Sequence, residues 1–124
     1  MKALTTGEIL EKVSDSAIPK ATSGFWKLFI LAILAGAYIA FGAQASAMAS
    51  FNLTSDPATF GLGKLVSASV FPVGLMMVVL CGAELFTGNN LMIIGVLDRK
   101  IKVSGMLRNW VIVYIGNFIG ALLV

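Results

Sequence analysis

The sequence has no histidine, a single cysteine and few charges. Without histidine the chain can build no Ser-His-Asp triad, no histidine-paired cysteine and no histidine-ligated metal. Cys81 stands alone, which excludes an internal disulfide and any zinc site made of several cysteines. It ends the apolar run Val78-Val79-Leu80, and that setting predicts a buried, inert thiol. Charged residues make up 12% of the 124 positions, against about a quarter in soluble domains. At 58% hydrophobic residues and a mean hydropathy of +0.93, too little polar surface remains to cover a water-soluble globule. The net charge of +3 is too small to read as a nucleic-acid footprint. No residue set asks for a cofactor or a metal, and the chain is read as an integral membrane protein.

What is present has an order. Thr5-Thr6-Gly7-Glu8 fits a capping box, with Thr5 as N-cap and Glu8 reaching back. Ile9, Leu10, Val13 and Ala17 then share one helical stripe, and Pro19 closes the pattern. Residues 1–23 are read as a short amphipathic helix on the membrane surface, with a solvated arm as the alternative.

Residues 25–50 are apolar apart from Lys27, enough to cross the hydrocarbon, which takes about 20 residues. Ala45-Ser46-Ala47 resembles a signal-peptide cleavage site, but Glu8, Glu11 and Asp15 in a long leading region argue against one. Ala32, Gly36 and Ala40 are four apart, a spacing that lets helix backbones approach closely in lipid. Residues 52–59, with Pro57, read as a connecting loop.

From residue 60 to 97 the chain is apolar again except for Lys64 and Glu84. As one straight helix it would be about 55 Å long at ~1.5 Å per residue, while the hydrocarbon core is about 30 Å thick. The segment therefore has to break. Its polar, glycine-containing stretch Cys81-Gly82-Ala83-Glu84-Leu85-Phe86-Thr87-Gly88-Asn89-Asn90 is where it does so. Irregular backbone at membrane depth survives only when buried in protein or lining a water-filled cavity. That rule makes this stretch the functional candidate. Asp98 to Lys102 is a charged turn, and a last apolar span, 103–124, contains Gly116 and Gly120 in a GxxxG pattern.

The expected order is therefore span 25–50, half-helix 60–81, pore loop 82–88, half-helix 88–97 and span 103–124, with 24–124 as one membrane domain. Lys2, Lys12, Lys20 and Lys27 flank the first span, the first loop has no basic residue, and Arg99, Lys100 and Lys102 lie in the second. Basic loops stay in the cytoplasm, which predicts a multi-pass cell-membrane protein with a cytoplasmic N-terminus. The unflanked apolar end at 121–124 reads as a piece of a longer polypeptide.

Residues 79–91 resemble the signature of the formate/nitrite transporter family, whose members conduct formate, nitrite, hydrosulfide or lactate. Ala35-Gly36-Ala37-Tyr38-Ile39-Ala40-Phe41-Gly42 and Tyr114-Ile115-Gly116-Asn117-Phe118-Ile119-Gly120-Ala121 are similar to the same family, in the right order and spacing. The resemblance implies an all-α channel protomer of six spans in two inverted, aquaporin-like halves, each with a broken middle helix, assembled as a homo-pentamer. This chain would supply the first half, its three spans with the broken second. A pore histidine and a lysine would lie in the second half of the same polypeptide.

By the same resemblance Phe71 and Leu75 form the periplasmic apolar constriction, and Leu85 and Phe86 belong to the cytoplasmic one. Thr87 offers its hydroxyl to the anion, and as N-cap it would also start the second half-helix, whose free N–H groups and positive dipole end face the pore. Gly82, Gly88 and Asn89 shape the loop backbone. Glu84 is the only acid at membrane depth and by default a functional group. A pore-facing carboxylate would repel the permeant, so it is read as structural, accepting hydrogen bonds from the loop backbone. Asn90, with Asn89, would satisfy further backbone groups at the break. The implied function is passage of a small monovalent anion, formate first, with nitrite or hydrosulfide as alternatives. A non-transporting scaffold subunit is the reading of another class, and an enzyme is disfavoured because no base or metal set exists.

Overall fold

The computed structural model describes residues 3–124, so Met1 and Lys2, part of the expected N-terminal segment and its charge pattern, lie outside the described residues. The chain is helical throughout: α1 (Thr6–Thr22), α2 (Phe25–Ser55), α3 (Phe60–Val70), α4 (Pro72–Leu80), α5 (Phe86–Asn89), α6 (Met92–Leu97) and α7 (Val103–Leu122). Among the described residues two stretches are long and apolar enough to cross a membrane, Phe25–Ser55 and Phe60–Leu80. α7 has 20 residues but carries Arg108, Asn109 and Asn117, which lower its hydropathy.

α1 opens on the expected capping box. The Thr5 N–H donates to Glu8 Oε2 at 2.7 Å, and the Glu8 N–H donates to Thr5 Oγ1 at 3.4 Å. The Thr5 N–H, and the Thr5 hydroxyl that also donates to Glu8 Oε2 at 2.9 Å, hold the Glu8 carboxyl below its ordinary pKa. The helix does not end at Pro19 but continues to Thr22. Proline removes only one N–H donor, and carbonyls at the end of the helix find side-chain partners. Thr22 Oγ1 donates to the Ile18 carbonyl at 2.9 Å, and Ser23 Oγ to that of Pro19 at 2.7 Å. From α7, Asn109 Nδ2 donates to the Lys20 carbonyl at 3.0 Å and Arg108 to that of Ser23 at 3.0 Å.

The expected stripe splits. Ala17 and Ser14 are buried against α6 and α7, while Ile9 and Leu10 stay 49% and 51% exposed. Ala17, Met92 and Met106 form a small core there. Lys100 pairs with Asp15 at 2.6 Å, which raises the lysine pKa, and fastens α1 to the turn after α6.

α2 runs to Ser55 rather than stopping near Ser50, and the connection shortens accordingly. Its polar end stays helical because the hydroxyls turn back on the helix: Ser50 donates to the Ser46 carbonyl at 2.9 Å, Thr54 to that of Ser50 at 3.0 Å, and Ser55 to that of Phe51 at 2.9 Å. The expected half-helix 60–81 is divided at Phe71, because Pro72 supplies no N–H. Phe71 keeps helical dihedrals (φ −52, ψ −40), so the proline interrupts the bonding without redirecting the helix.

α2 and α7 pack through their small residues. Gly36 lies on the Asn117 backbone, Gly120 on the Ile33 carbonyl and Gly116 on Ala32. Leu28, Ala32, Ile112 and Val113 form the core between them, with Phe29 and Phe86 packed against it.

Gly120→Val drives a branched side chain into the Ile33 backbone and is expected to cost about 3 kcal/mol or more. Gly61→Ala meets nothing within 4 Å and should change stability by under about 1 kcal/mol. Thermal unfolding of the full-length protein in detergent checks both. Equal midpoints for the two variants would contradict the packing described.

Candidate functional site: the break between α4 and α5

α4 ends where the length argument requires a break. Gly82 adopts φ +62, a left-handed conformation that glycine takes without steric cost. The Ala83 N–H then reaches back to the Val78 carbonyl at 3.0 Å, and the Gly82 N–H to that of Val79 at 3.3 Å. This pair of bonds is a Schellman closure. The chain runs on through Ala83, Glu84 and Leu85 and turns helical again at Phe86.

The second half-helix starts two residues earlier than expected, and Phe86 and Thr87 of the expected loop are already in it. Thr87 is therefore not the N-cap. Leu85 is (φ −105, ψ 130), and its side chain caps nothing. The cap comes from another helix: the Phe86 N–H donates to Asn117 Oδ1 at 2.9 Å. Asn117 Nδ2 donates to the Glu84 carbonyl at 2.9 Å and to the Ala32 carbonyl of α2 at 2.7 Å.

A second polar cluster holds the other side of the break. Glu84 Oε2 accepts from Lys20 Nζ at 2.7 Å and from Asn89 Nδ2 at 2.7 Å. Asn89 Oδ1 accepts from Lys20 at 2.8 Å, and its Nδ2 also donates to Asn109 Oδ1 at 2.8 Å. The Asn89 carbonyl accepts from Trp110 Nε1 at 2.9 Å. Asn89 is 1% exposed and has a partner at each of its polar side-chain atoms. Glu84 thus bonds to side chains rather than to the loop backbone, as does the Asn89 side chain. Asn90 is exposed and its side chain makes no hydrogen bond among the described residues. The expected backbone-satisfying roles of these residues fall to Asn117 and Trp110, because α7 passes directly behind the break.

A cavity of about 650 Å³ lies against the break, lined by Leu75, Leu85, Thr87, Gly88, Glu84 and Lys20 among others. Gly82 and Asn89 also border it. The hydroxyl of Thr87 has no hydrogen-bond partner among the described residues, nor do the N–H groups of Thr87 and Gly88. An adjoining cavity of about 330 Å³ shares Lys20, Gly82 and Glu84 and adds Lys27. Phe71 sits exposed at the α3–α4 junction, outside the first lining. Phe86 faces the other way, edge-on to Trp110 at 6.1 Å and Tyr114 at 5.5 Å. Cys81 is exposed in this chain rather than buried, with the Tyr38 side chain of α2 beside it.

Four participants were not evident from sequence: Lys20, Asn109, Trp110 and Asn117. Lys20 entered only as a topological charge. The two asparagines are eight positions apart in a largely apolar helix, hence on neighbouring faces two turns apart. Intramembrane polar residues at that spacing were the available signal.

Lys20→Met leaves the Glu84 carboxylate without its counter-charge. The pair is only 28% and 15% exposed on its two sides. Removing one partner of a buried pair costs ~3–5 kcal/mol, and partial exposure should bring the loss here toward about 2–3 kcal/mol. Adding Glu84→Gln should recover most of it, since the amide oxygen still accepts from Asn89. Thermal unfolding midpoints test this, and a single variant as stable as the parent would refute the pairing's role.

The formate/nitrite transporter family matches residues 7–124. The chain is 46% identical over 99 residues to a probable formate transporter of Methanothermobacter thermautotrophicus, covering 79% of this chain and 36% of that protein. It is 38% identical over 125 residues to the formate channel FocA of Haemophilus influenzae, covering 98% of this chain and 42% of the relative. It is 36% identical over 119 residues to the formate channel BtFdhC of Bacillus thuringiensis, covering 94% and 45%. The chain thus spans less than half the length of these relatives. No solved structure matches it. On the match of nearly its whole length, the chain belongs to the formate/nitrite transporter family.

Proposed function

We propose that the full-length protein is a cell-membrane channel passing small monovalent anions, formate first, with nitrite and hydrosulfide as alternatives of the same charge and size. The observation that carries this reading is the neutralised break. The chain's one membrane-depth carboxylate, Glu84, is paired with Lys20 at 2.7 Å, while the unpartnered Thr87 hydroxyl borders the cavity beside it. An anion entering there meets donors without a net negative charge.

In this reading α2 is the first span, α3–α4 and α5–α6 are the halves of a broken second, and α7 is the third, about 30 Å long at ~1.5 Å per residue. The three form one half of an inverted-repeat, aquaporin-like protomer, the remainder of the polypeptide supplies the other half, and protomers associate as pentamers. The basic residues beside α2 and in the turn before α7 set the N-terminus on the cytoplasmic side. Phe71 and Leu75 form one apolar constriction. Leu85, backed by Phe86, forms the other, with Thr87 as the anion contact between them and Gly82, Gly88 and Asn89 shaping the loop. Apolar constrictions strip water from the permeant. A weak acid crosses them most easily as its neutral form, because a bare charge in an apolar setting is costly. The relatives named as formate channels support formate as the first choice.

Liposomes holding the full-length protein should pass formate, nitrite or hydrosulfide rapidly and with a marked pH dependence, and chloride and acetate slowly. Thr87→Val should slow the flux by roughly tenfold, the scale of one lost hydrogen bond of ~1.4 kcal/mol. No flux of any small anion through a folded, membrane-inserted protein would favour a scaffold instead.

A further inference from the structure

Leu85 is the side chain on which selectivity in the proposed channel depends, yet nothing about Leu85 itself fixes its place. It sits in an extended conformation between a glycine-ended helix and a four-residue helical turn, with no side-chain cap of its own. Two features of its surroundings are informative. Among the described residues, Leu85 alone borders both the 650 Å³ cavity at the break and a second, apolar cavity of about 290 Å³ between α2 and α7. Asn117 lines that second cavity and bonds the backbone on both sides of Leu85, the Glu84 carbonyl before it and the Phe86 N–H after it.

We propose that Asn117 is the positioning residue of the inner constriction: its carboxamide clamps the peptide groups flanking Leu85 and so sets how far the leucine projects into the cavity at the break. The proposal rests on the channel reading above. The orientation of the amide is unambiguous. The Phe86 N–H can only donate and must meet Oδ1, while the Glu84 and Ala32 carbonyls can only accept and must meet Nδ2. Both protons of Nδ2 and the oxygen are in use, so the group has no slack to rotate.

The clamp is itself anchored. The bond to Ala32 ties it to α2, and the close approach of Gly36 to the Asn117 backbone leaves that stretch of α7 no room to shift. Leu85 is thereby referenced to the rigid α2–α7 pair rather than to its own flexible loop. Other side chains cannot substitute here. Aspartate has the same shape but would set a carboxylate oxygen against two carbonyl oxygens. Leucine has the volume but would leave the Phe86 N–H and the Glu84 carbonyl without partners at membrane depth.

The test is the ratio of acetate to formate permeation in liposomes holding the full-length protein. A ratio measured on one preparation is independent of how much protein is correctly inserted, so a purely structural loss does not move it. Asn117→Asp should raise the ratio by roughly tenfold, the scale on which one carbon is discriminated in an apolar site. Asn117→Ser, which keeps one donor and one acceptor on a shorter reach, is held to the same direction and serves if the aspartate variant fails to insert. Leu85→Ala should raise the ratio by itself, and adding Asn117→Asp to it should change it by less than about twofold, as expected when one residue acts through the other.

An unchanged ratio in both Asn117 variants, or additive effects in the double variant, would overturn the positioning role while leaving the channel reading intact. If the unmodified protein passes neither anion, the channel reading fails and this proposal fails with it.

Discussion

A helix that breaks within an apolar stretch frees backbone N–H and C=O groups that must find partners in the protein wherever water is excluded. Everything else at this site follows from how those groups are satisfied. Gly82 closes the end of α4 on its own carbonyls. The start of α5 has no such internal solution, because its N-cap is a leucine. Asn117 meets the Phe86 N–H and the Glu84 carbonyl, Trp110 meets the Asn89 carbonyl, and the side-chain cluster of Lys20, Glu84, Asn89 and Asn109 ties the flanking segments together. The break is held from outside itself, and α7 is the element that holds it.

That dependence gives the small residues of α2 and α7 a purpose beyond packing. Only a close approach of the two backbones brings the short asparagine side chain within reach of the Ala32 carbonyl and the loop at once. It also draws α1 into the site. Lys20 is four residues from Ser16 on the docked helix and reaches Glu84 and Asn89 directly. Its carbonyl is in turn bonded by Asn109. A segment that reads as peripheral is therefore bonded to the break by its side chain and to α7 by its backbone.

The parts legible in sequence were those governed by local rules. The capping box of Thr5 and Glu8, the GxxxG contact of Gly116 and Gly120, and the break after residue 81 all follow from spacing, length or a single residue's conformational freedom. The misreadings share one cause. Pro19 and the serine-rich end of α2 looked like stops, yet hydroxyls and α7 side chains supplied the missing bonds. Thr87 looked like a cap, yet the cap sits 31 residues away at Asn117. Lys20 and Glu84 are 64 positions apart, and no local pattern links them. Cys81 and Phe86 show the same limit, since which face of a helix is covered depends on elements distant in the chain.

The claim that α7 caps the break is tested most directly by amide hydrogen exchange of the full-length protein in detergent, resolved at Phe86, Thr87 and Gly88. All three lie in the first turn of a half-helix, where no helical acceptor exists. The account predicts slow exchange at Phe86, bonded to Asn117, and faster exchange at Thr87 and Gly88. It also predicts that Asn117→Ala abolishes the protection at Phe86. Equally fast exchange at all three amides, or protection of Phe86 that survives loss of the asparagine, would contradict it.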